Sequence, residues 1–309
     1  MKLTHWLLCF AVITLLLLLL LFNSFSAAPL AKPEAYSGAL PVAAPPPEMA
    51  IFHFLTGATH RSAAFGYRGG SFFDKREFEM TAVLVKHPKG DLLIDTGFGS
   101  EIDSQFGKMP LFFRWGTSYE KTSPAAVQLA TAGYDIKNLR GILLTHAHWD
   151  HVSGIPDFPK TPVLVNLDEH RFIEHGGTWS EVARSLPNVT YEEYDFEDKP
   201  YLGFLKSHDM YGDGSIVIVS AQGHTPGSII VFLTLPNNRR YALVGDLVWQ
   251  REGITEREEK PWLLRRSADS EPENVRKNIL RMAAITSRFP EMVIVPAHDS
   301  RGFSEIPRP

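Results

Sequence analysis

The chain has a single cysteine, Cys9, and it lies inside an unbroken apolar run near the amino end. No disulfide can form in the rest of the chain, which must be held by a hydrophobic core and by any metal it binds. Blocks of Lys and Arg are missing too. Net charge is −4 with both signs interspersed, so the phosphate-tracking surface of a nucleic-acid binder is absent. No G-x-S-x-G stretch occurs, which removes serine catalysis from a nucleophile elbow. No short fixed-period repeat occurs either, which argues against a solenoid. What remains is a chain of 309 residues, 44% apolar and 21% charged, an ordinary globular balance with ample length for a buried core.

The amino end departs from that balance. Lys2 is followed by an apolar run from Trp6 to Phe22, slightly long for a signal-peptide core and slightly short for a spanning helix. Ser24-Phe25-Ser26 before Ala27 has the small-x-small form of a cleavage site. Residues 1–26 therefore read as a signal peptide or a membrane anchor. With Lys2 as the only flanking charge, the domain is expected outside the cytoplasm, either exported (periplasmic or secreted) or anchored. Residues 27–48, rich in Pro and Ala, read as an extended, unpacked linker. Membrane contact is expected through the N-terminal segment alone.

Residues 49–309 read as one folded domain. Strand-like runs rich in β-branched and aromatic residues fall at 50–57, 80–88, 91–97, 141–146, 161–166, 214–222, 228–235, 240–246 and 291–298. Tight turns are expected at Lys89-Gly90 and within Leu235 to Arg240. Helices are expected over 123–134, opened by Ser123-Pro124, and from Ser270, where Ser270 and Glu273 have the spacing of a capping box. Val275, Ile279, Met282 and Phe289 would share the buried face of the second helix. Hairpins followed by mixed strands and helices argue for an α/β layered architecture with helices outside the sheets.

The stretch "LLTHAHWDHVSG" (143–154) places three histidines and an aspartate within six residues, directly after an apolar strand. Three more ligand-type residues each follow an apolar run and one or two small residues: His224 in "AQGHTPGS", Asp246 in "LVGD" and His298 in "VPAH". Alone, each would read as an ordinary loop or turn residue. Together with His146, His148, Asp150 and His151 they make seven nitrogen and oxygen donors. That is too many for one tetrahedral zinc, and it suits two divalent ions sharing a carboxylate. His146, His148 and His224 would hold one ion; Asp150, His151 and His298 the other; Asp246 would bridge. Zinc suits the donor set.

"HAHWDH" resembles the H-x-H-x-D-H signature of the metallo-β-lactamase-fold hydrolases. "LLIDTG" at Asp95, "GHTPGS" at His224, "GD" at Asp246 and "PAH" at His298 follow in that family's order, over about Ala50 to Gly302. The resemblance implies an αββα sandwich of two mixed sheets with outer helices and metals at one edge. It implies a metal-bridging hydroxide as nucleophile, Asp150 as the catalytic proton acceptor, and Asp95 as the support behind the metal ligands. The bridging aspartate argues against β-lactam hydrolysis. In ligand set the chain is most similar to acyl-homoserine-lactone lactonases, which implies an ester-type bond in a small-molecule substrate, a lactone first. A thioesterase or phosphodiesterase of the same fold is the alternative, and a non-catalytic binding domain a further one. Those lactonases often carry a tyrosine three residues after the bridging aspartate, where this chain has Trp249; Tyr191, Tyr194 or Tyr211 would have to substitute.

Two further features stay open in the sequence. The apolar stretch 106–120 reads either as core beneath a loop or as a lid for an acyl-bearing substrate, with a membrane-facing patch as a third reading. His5, His53, His60, His87, His170, His175 and His208 lack the strand-end context and are assigned to surface or core, with His60 and His208 near loops that could reach a pocket.

Overall fold

A computed structural model describes residues 2–309, with side chains from His5 onward. Twelve strands form: β1 (Ala50–Ser62), β2 (Lys75–Lys86), β3 (Asp91–Ile94), β4 (Glu120–Lys121), β5 (Leu139–Leu143), β6 (Val163–Val165), β7 (Tyr191–Glu193), β8 (Ser207–Asp209), β9 (Ile216–Ser220), β10 (Ile229–Thr234), β11 (Arg240–Gly245) and β12 (Val293–Pro296). They make two sheets, ordered β4-β1-β2-β3-β5-β6-β7 and β12-β11-β10-β9-β8. Both are mixed. β1, β2 and β3 pair antiparallel and β3, β5, β6 and β7 parallel; β8 to β11 pair antiparallel and β11 with β12 parallel.

Alternation along the strands builds three apolar layers. Val83, Val85, Leu92, Ile94 and Leu143 of the first sheet meet Ile216, Ile218, Val231, Leu243 and Val295 of the second, forming the core between them. The opposite faces are covered from outside. Leu84, Leu93 and Ile142 pack under Leu129, Ile173 and Val182. Val219, Ile230, Phe232 and Val244 pack under Val275, Ile279, Met282 and Ile285 of the helix Pro272–Arg288. The layering is therefore αββα.

Several local expectations are refined. The helix Pro272–Arg288 starts with its proline in the first turn, and neither Ser270 nor Glu273 closes a capping box. Pro124 occupies the cap of the helix Ala125–Thr131, and Ser123 makes no cap bond. β4, β7 and β8, with two or three residues each, fall outside the sequence-based strands. Residues 27–48 are irregular, as a Pro-rich segment must be, but they are not unpacked. Leu30, Tyr36 and Leu40 lie against the helix side of the second sheet, Ala28 N–H donates to Glu258, and Ala44 N–H donates to the Asp213 carbonyl. Isolated apolar side chains spaced along a proline-stiffened segment are enough to make it a strap.

Candidate metal centre

Topology delivers the seven donors to one edge. β9, β11 and β12 run in the same direction, with β10 reversed between them, so His224, Asp246 and His298 emerge together. His146 and His148 leave the end of β5, and the short helix Trp149–Val152 turns Asp150 and His151 back toward them. The Ile229 N–H donates to the Thr145 carbonyl, joining the two sheets at this edge. Two glycines make the sharp exits. Gly223 precedes His224 at φ 143°, and Gly245 precedes Asp246 at φ 52°, a region unfavourable for residues with a Cβ. A Cβ on Gly223 would also sit 2.7 Å from the Val275 nitrogen.

The donors form three overlapping groups: His146, His148 and His224; His146, His151 and Asp246; Asp150, His151 and His298, within each of which the ligand atoms lie inside 4.8 Å of one another. Asp246 is central. Its Oδ2 lies 3.4 Å from His224 Nε2 and 3.9 Å from His146 Nε2, and its Oδ1 lies 3.1 Å from His298 Nε2 and 3.5 Å from His151 Nε2. Asp150 Oδ2 lies 3.4 Å from His298 Nε2.

The donor set fits divalent cations on two observations. First, Nε2 of His146, His151 and His224 and Oδ1 of Asp246 are buried and make no hydrogen bond among the described residues. Leaving four such atoms without partners is costly unless something else satisfies them. Second, the far ring nitrogens are fixed. His151 Nδ1 donates to Asp95 Oδ2 (2.8 Å), His224 Nδ1 to Asp269 Oδ1 (2.8 Å) and His298 Nδ1 to the Glu79 carbonyl (2.8 Å). Carboxylates and carbonyls only accept, so each Nδ1 carries a proton, and each ring in its neutral form presents the Nε2 lone pair inward.

Electrostatics divide the cluster. Burial, reinforced by neighbouring histidines, holds His146 and His148 well below their usual pKa, and burial with Lys260 nearby lowers His224. Neutral imidazole is the form that ligates metal. For His151 and His298 burial also lowers the pKa, but Asp95 and Asp150 for the first, and Asp246 for the second, outweigh it and the net shift is upward. Burial raises Asp246, but His298, His151 and His146 dominate and hold its carboxyl well below the usual range.

Behind the donors lies a supporting shell. Asp95, in the left-handed region at φ 54°, accepts from the Thr145 N–H and hydroxyl (both 2.7 Å) as well as from His151. It lies behind His151 and does not line the open cleft, so it positions His151, whereas Asp150 faces the cleft. Glu169 ties two ligand loops together, accepting from Ala147 N–H (2.6 Å), the Thr225 hydroxyl (2.6 Å) and Gly227 N–H (3.0 Å). Asp269 also accepts from buried Lys260 (2.6 Å), which lies over the Trp249 ring. Sequence reasoning missed Glu169, Asp269 and Lys260, since a helix acid, a loop acid and a lone lysine carry no local signal.

A cleft of about 290 Å³ opens beside the donors. Its apolar wall includes Phe78, Met80, Phe112, Phe113, Trp179 and Leu264, with Thr59, Arg61 and Thr117 as polar groups. The stretch 106–120 thus serves in two ways: Met109 is core, and Phe112 and Phe113 line the cleft. None of Tyr191, Tyr194 and Tyr211 lines it; Tyr211 stacks on His87 at 4.0 Å instead. Trp249 does line it, donating its indole N–H to Asp246 Oδ2 at 2.8 Å. His60 faces Glu120 and His208 bonds the Asp195 carbonyl, both away from the cleft.

An αββα sandwich with a buried His/Asp cluster at the shared sheet edge defines a class of metal-dependent hydrolase. Residues 78–298 match the family model for the metallo-beta-lactamase superfamily, and the chain belongs to that superfamily. A probable metallo-hydrolase of Mycobacterium tuberculosis (strain ATCC 25618 / H37Rv) is 30% identical over 232 residues, covering 70% of this chain and 73% of that one. The N-acyl homoserine lactonase AttM of Rhizobium radiobacter is 23% identical over 185 residues, 56% of this chain and 66% of its own. Among solved structures, an N-acyl homoserine lactone hydrolase with N-hexanoyl-L-homoserine bound at its catalytic metal centre superposes with a TM-score of 0.66 at 17% identity, over 84% of this chain and 96% of its own. The dizinc quorum-quenching lactonase AidC superposes with a TM-score of 0.53 at 17% identity, over 82% and 88%.

Proposed function

We propose that the chain is a dinuclear metallohydrolase acting on an ester-type bond, a lactone first, in a substrate with an apolar arm. The observation that carries this reading is that six donors fall into two groups of three, joined by a third group through Asp246, next to a cleft walled by aromatic side chains. His146, His148 and His224 would hold one cation, Asp150, His151 and His298 the other, with Asp246 shared and zinc suited to the donors. Cations bound there would supply Lewis acidity, lowering the pKa of a bound water and polarising a substrate oxygen.

The chain's own residues do the rest. The Asp150 carboxylate faces the cleft, where it can accept the attacking water's proton and return it to the leaving oxygen. Asp95, Asp269 and the Glu79 carbonyl keep His151, His224 and His298 in one tautomer and orientation. Trp249 anchors Asp246, so its indole N–H is already engaged and does not reproduce the role of a tyrosine hydroxyl. Thr59, Arg61 and Thr117 supply polar contacts for substrate oxygens, and Phe112, Phe113 and Trp179 exclude water around an acyl chain.

The test is a panel of lactones, aryl esters, thioesters and bis-aryl phosphodiesters on the full chain in detergent, with zinc, with chelator, and with His148→Ala. Lactone or ester turnover that chelator and the variant both abolish is expected. Turnover of phosphodiesters without lactones would overturn the order proposed, and turnover indifferent to chelator would overturn the metal mechanism.

A further inference from the structure

The N-terminal helix runs from Lys2 to Phe25, and its segment His5–Phe25 is long and apolar enough to cross a bilayer, with its apolar side chains turned away from the domain. At about 1.5 Å per residue, residues 5–22, which stay clear of the domain, span about 27 Å, close to the thickness of a hydrocarbon core. Its carboxyl end is built into the domain. Ser24 is wholly buried and its hydroxyl accepts from the Leu263 N–H. Arg68 donates to the carbonyls of Asn23 and Ser26 (both 2.9 Å), and Gly69 N–H donates to that of Phe25. The Phe25 ring lies 5.5 Å from Phe65 and 5.2 Å from Phe72. These are the residues that the sequence offers as a cleavage site, and here they cap the helix and satisfy its last carbonyls.

The same contacts fix where the cleft lies. The helix end rests on Trp262 and Leu263 at the start of the short helix Trp262–Ala268, and Leu264, Ser267 and Ala268 of that helix line the cleft. Seven residues of helix are about 10 Å long, so the cleft opens within roughly the depth of a headgroup layer from the point where the chain leaves the hydrocarbon. Phe72 and Leu263 flank that exit, Phe73 is next to Phe72 in the chain, and Phe112 lines the same cleft as Leu264, bringing the segment Leu111–Trp115 to the cleft's rim. Phe73 and Trp115 are 94% and 80% exposed, and Phe72, Leu111, Phe112 and Leu263 are exposed as well. Exposed Arg114 and Arg266 lie among them, the latter over the Trp262 ring. Aromatic rings with interspersed arginines are what a membrane interface selects.

We infer that the N-terminal helix is retained as an anchor and that the face formed by Phe72, Phe73, Leu111, Trp115 and Leu263 rests on the bilayer, so that the cleft receives its substrate from the membrane. The surface's partner is a phospholipid bilayer, and the substrate class is an amphiphile whose acyl chain lies in the lipid while its reactive head reaches the metal centre. The substrate half of this inference rests on the ester-hydrolase reading; the docking half does not.

The test uses the full chain in nanodiscs of phosphatidylcholine and phosphatidylglycerol. Intact mass of membrane-extracted protein is expected to include the N-terminal segment, and a chain beginning at Ala27 overturns retention. Single nitroxide labels are placed by Trp115→Cys, Phe73→Cys and, as a reference on the β8 side, Lys199→Cys, each with Cys9→Ser. Oxygen should relax the first two labels more than a water-soluble nickel chelate does, with the reverse at position 199; water-like behaviour at 115 and 73 overturns the docking face. The pair Leu111→Ser/Trp115→Ser, outside the cleft lining, should lower turnover of a long-acyl lactone held in the nanodisc about tenfold while leaving a short water-soluble lactone within about twofold. Equal loss on both sinks the substrate half. Lipid-facing labels with no lactone hydrolysed at either length leave the docking face standing and remove the lactone reading.

Discussion

Asp269→Asn is the sharpest perturbation of the site that leaves every proposed ligand in place. The carboxylate is buried and accepts from His224 Nδ1 at 2.8 Å and from Lys260 Nζ at 2.6 Å, with Lys260 Nζ itself 3.3 Å from His224 Nδ1. Burial pushes the Asp269 carboxyl up, but Lys260 and His224 pull it further down, so the net shift is below the usual range. An amide keeps the shape and one acceptor and loses the charge. Lys260, equally buried, is then an unpaired ammonium, and breaking a buried pair from one side costs about 3–5 kcal/mol. An amide can present either its oxygen or its NH2 to His224, so the tautomer is no longer fixed by an obligate acceptor, which lowers metal affinity about 10- to 100-fold. Two assays separate the effects. Urea unfolding of chelator-treated protein reads the stability loss, and competition against a chromogenic chelator reads the affinity loss. Lys260→Met in the Asp269→Asn background removes the orphaned charge and should recover about 2 kcal/mol. A single variant that loses less than about 1 kcal/mol without metal, or a double variant no more stable than the single, would refute the reasoning.

Two other substitutions probe the shell from different sides. The Glu79 carboxyl is buried with Oε2 unpartnered, and its pKa is pushed up to about 7, mainly by burial, with Glu77 adding and Arg308 opposing. A raised carboxyl pKa means stability that is full below the ordinary value of 4.5 and is lost as pH rises through about 7. Glu79→Gln should therefore do little at pH 5 and stabilise on the order of 2 kcal/mol at pH 8, read as a flatter profile of thermal midpoint against pH; parallel profiles would contradict it. Trp249→Phe keeps an aromatic ring, smaller than the indole, and deletes the bond to Asp246 Oδ2. Metal affinity should fall about tenfold while metal-free stability stays within about 1 kcal/mol, measured by the same chelator competition and urea titration, and unchanged affinity would mean the indole does not anchor Asp246.

The sequence by itself determined the donors. His146, His148, Asp150 and His151 sit in one six-residue stretch, and His224, Asp246 and His298 each end an apolar strand, so local pattern carried their identity. It also determined the long strands and the buried face of Pro272–Arg288, because periodicity is a property of neighbours in the chain. Tertiary structure alone decided the supporting shell. Glu169 joins Ala147 to Thr225 and Gly227, and Asp269 joins His224 to Lys260, across gaps of 9 to 58 residues. Nothing beside these residues in the chain distinguishes them from solvent-facing acids. It also decided that residues 27–48 are a strap, that Trp249 holds Asp246 while no tyrosine enters the cleft, and that the first helix ends against the wall of that cleft. A ligand can be read from its own chemistry and its place after a strand, whereas a hydrogen bond or a packed face exists only once the fold has set two distant segments side by side.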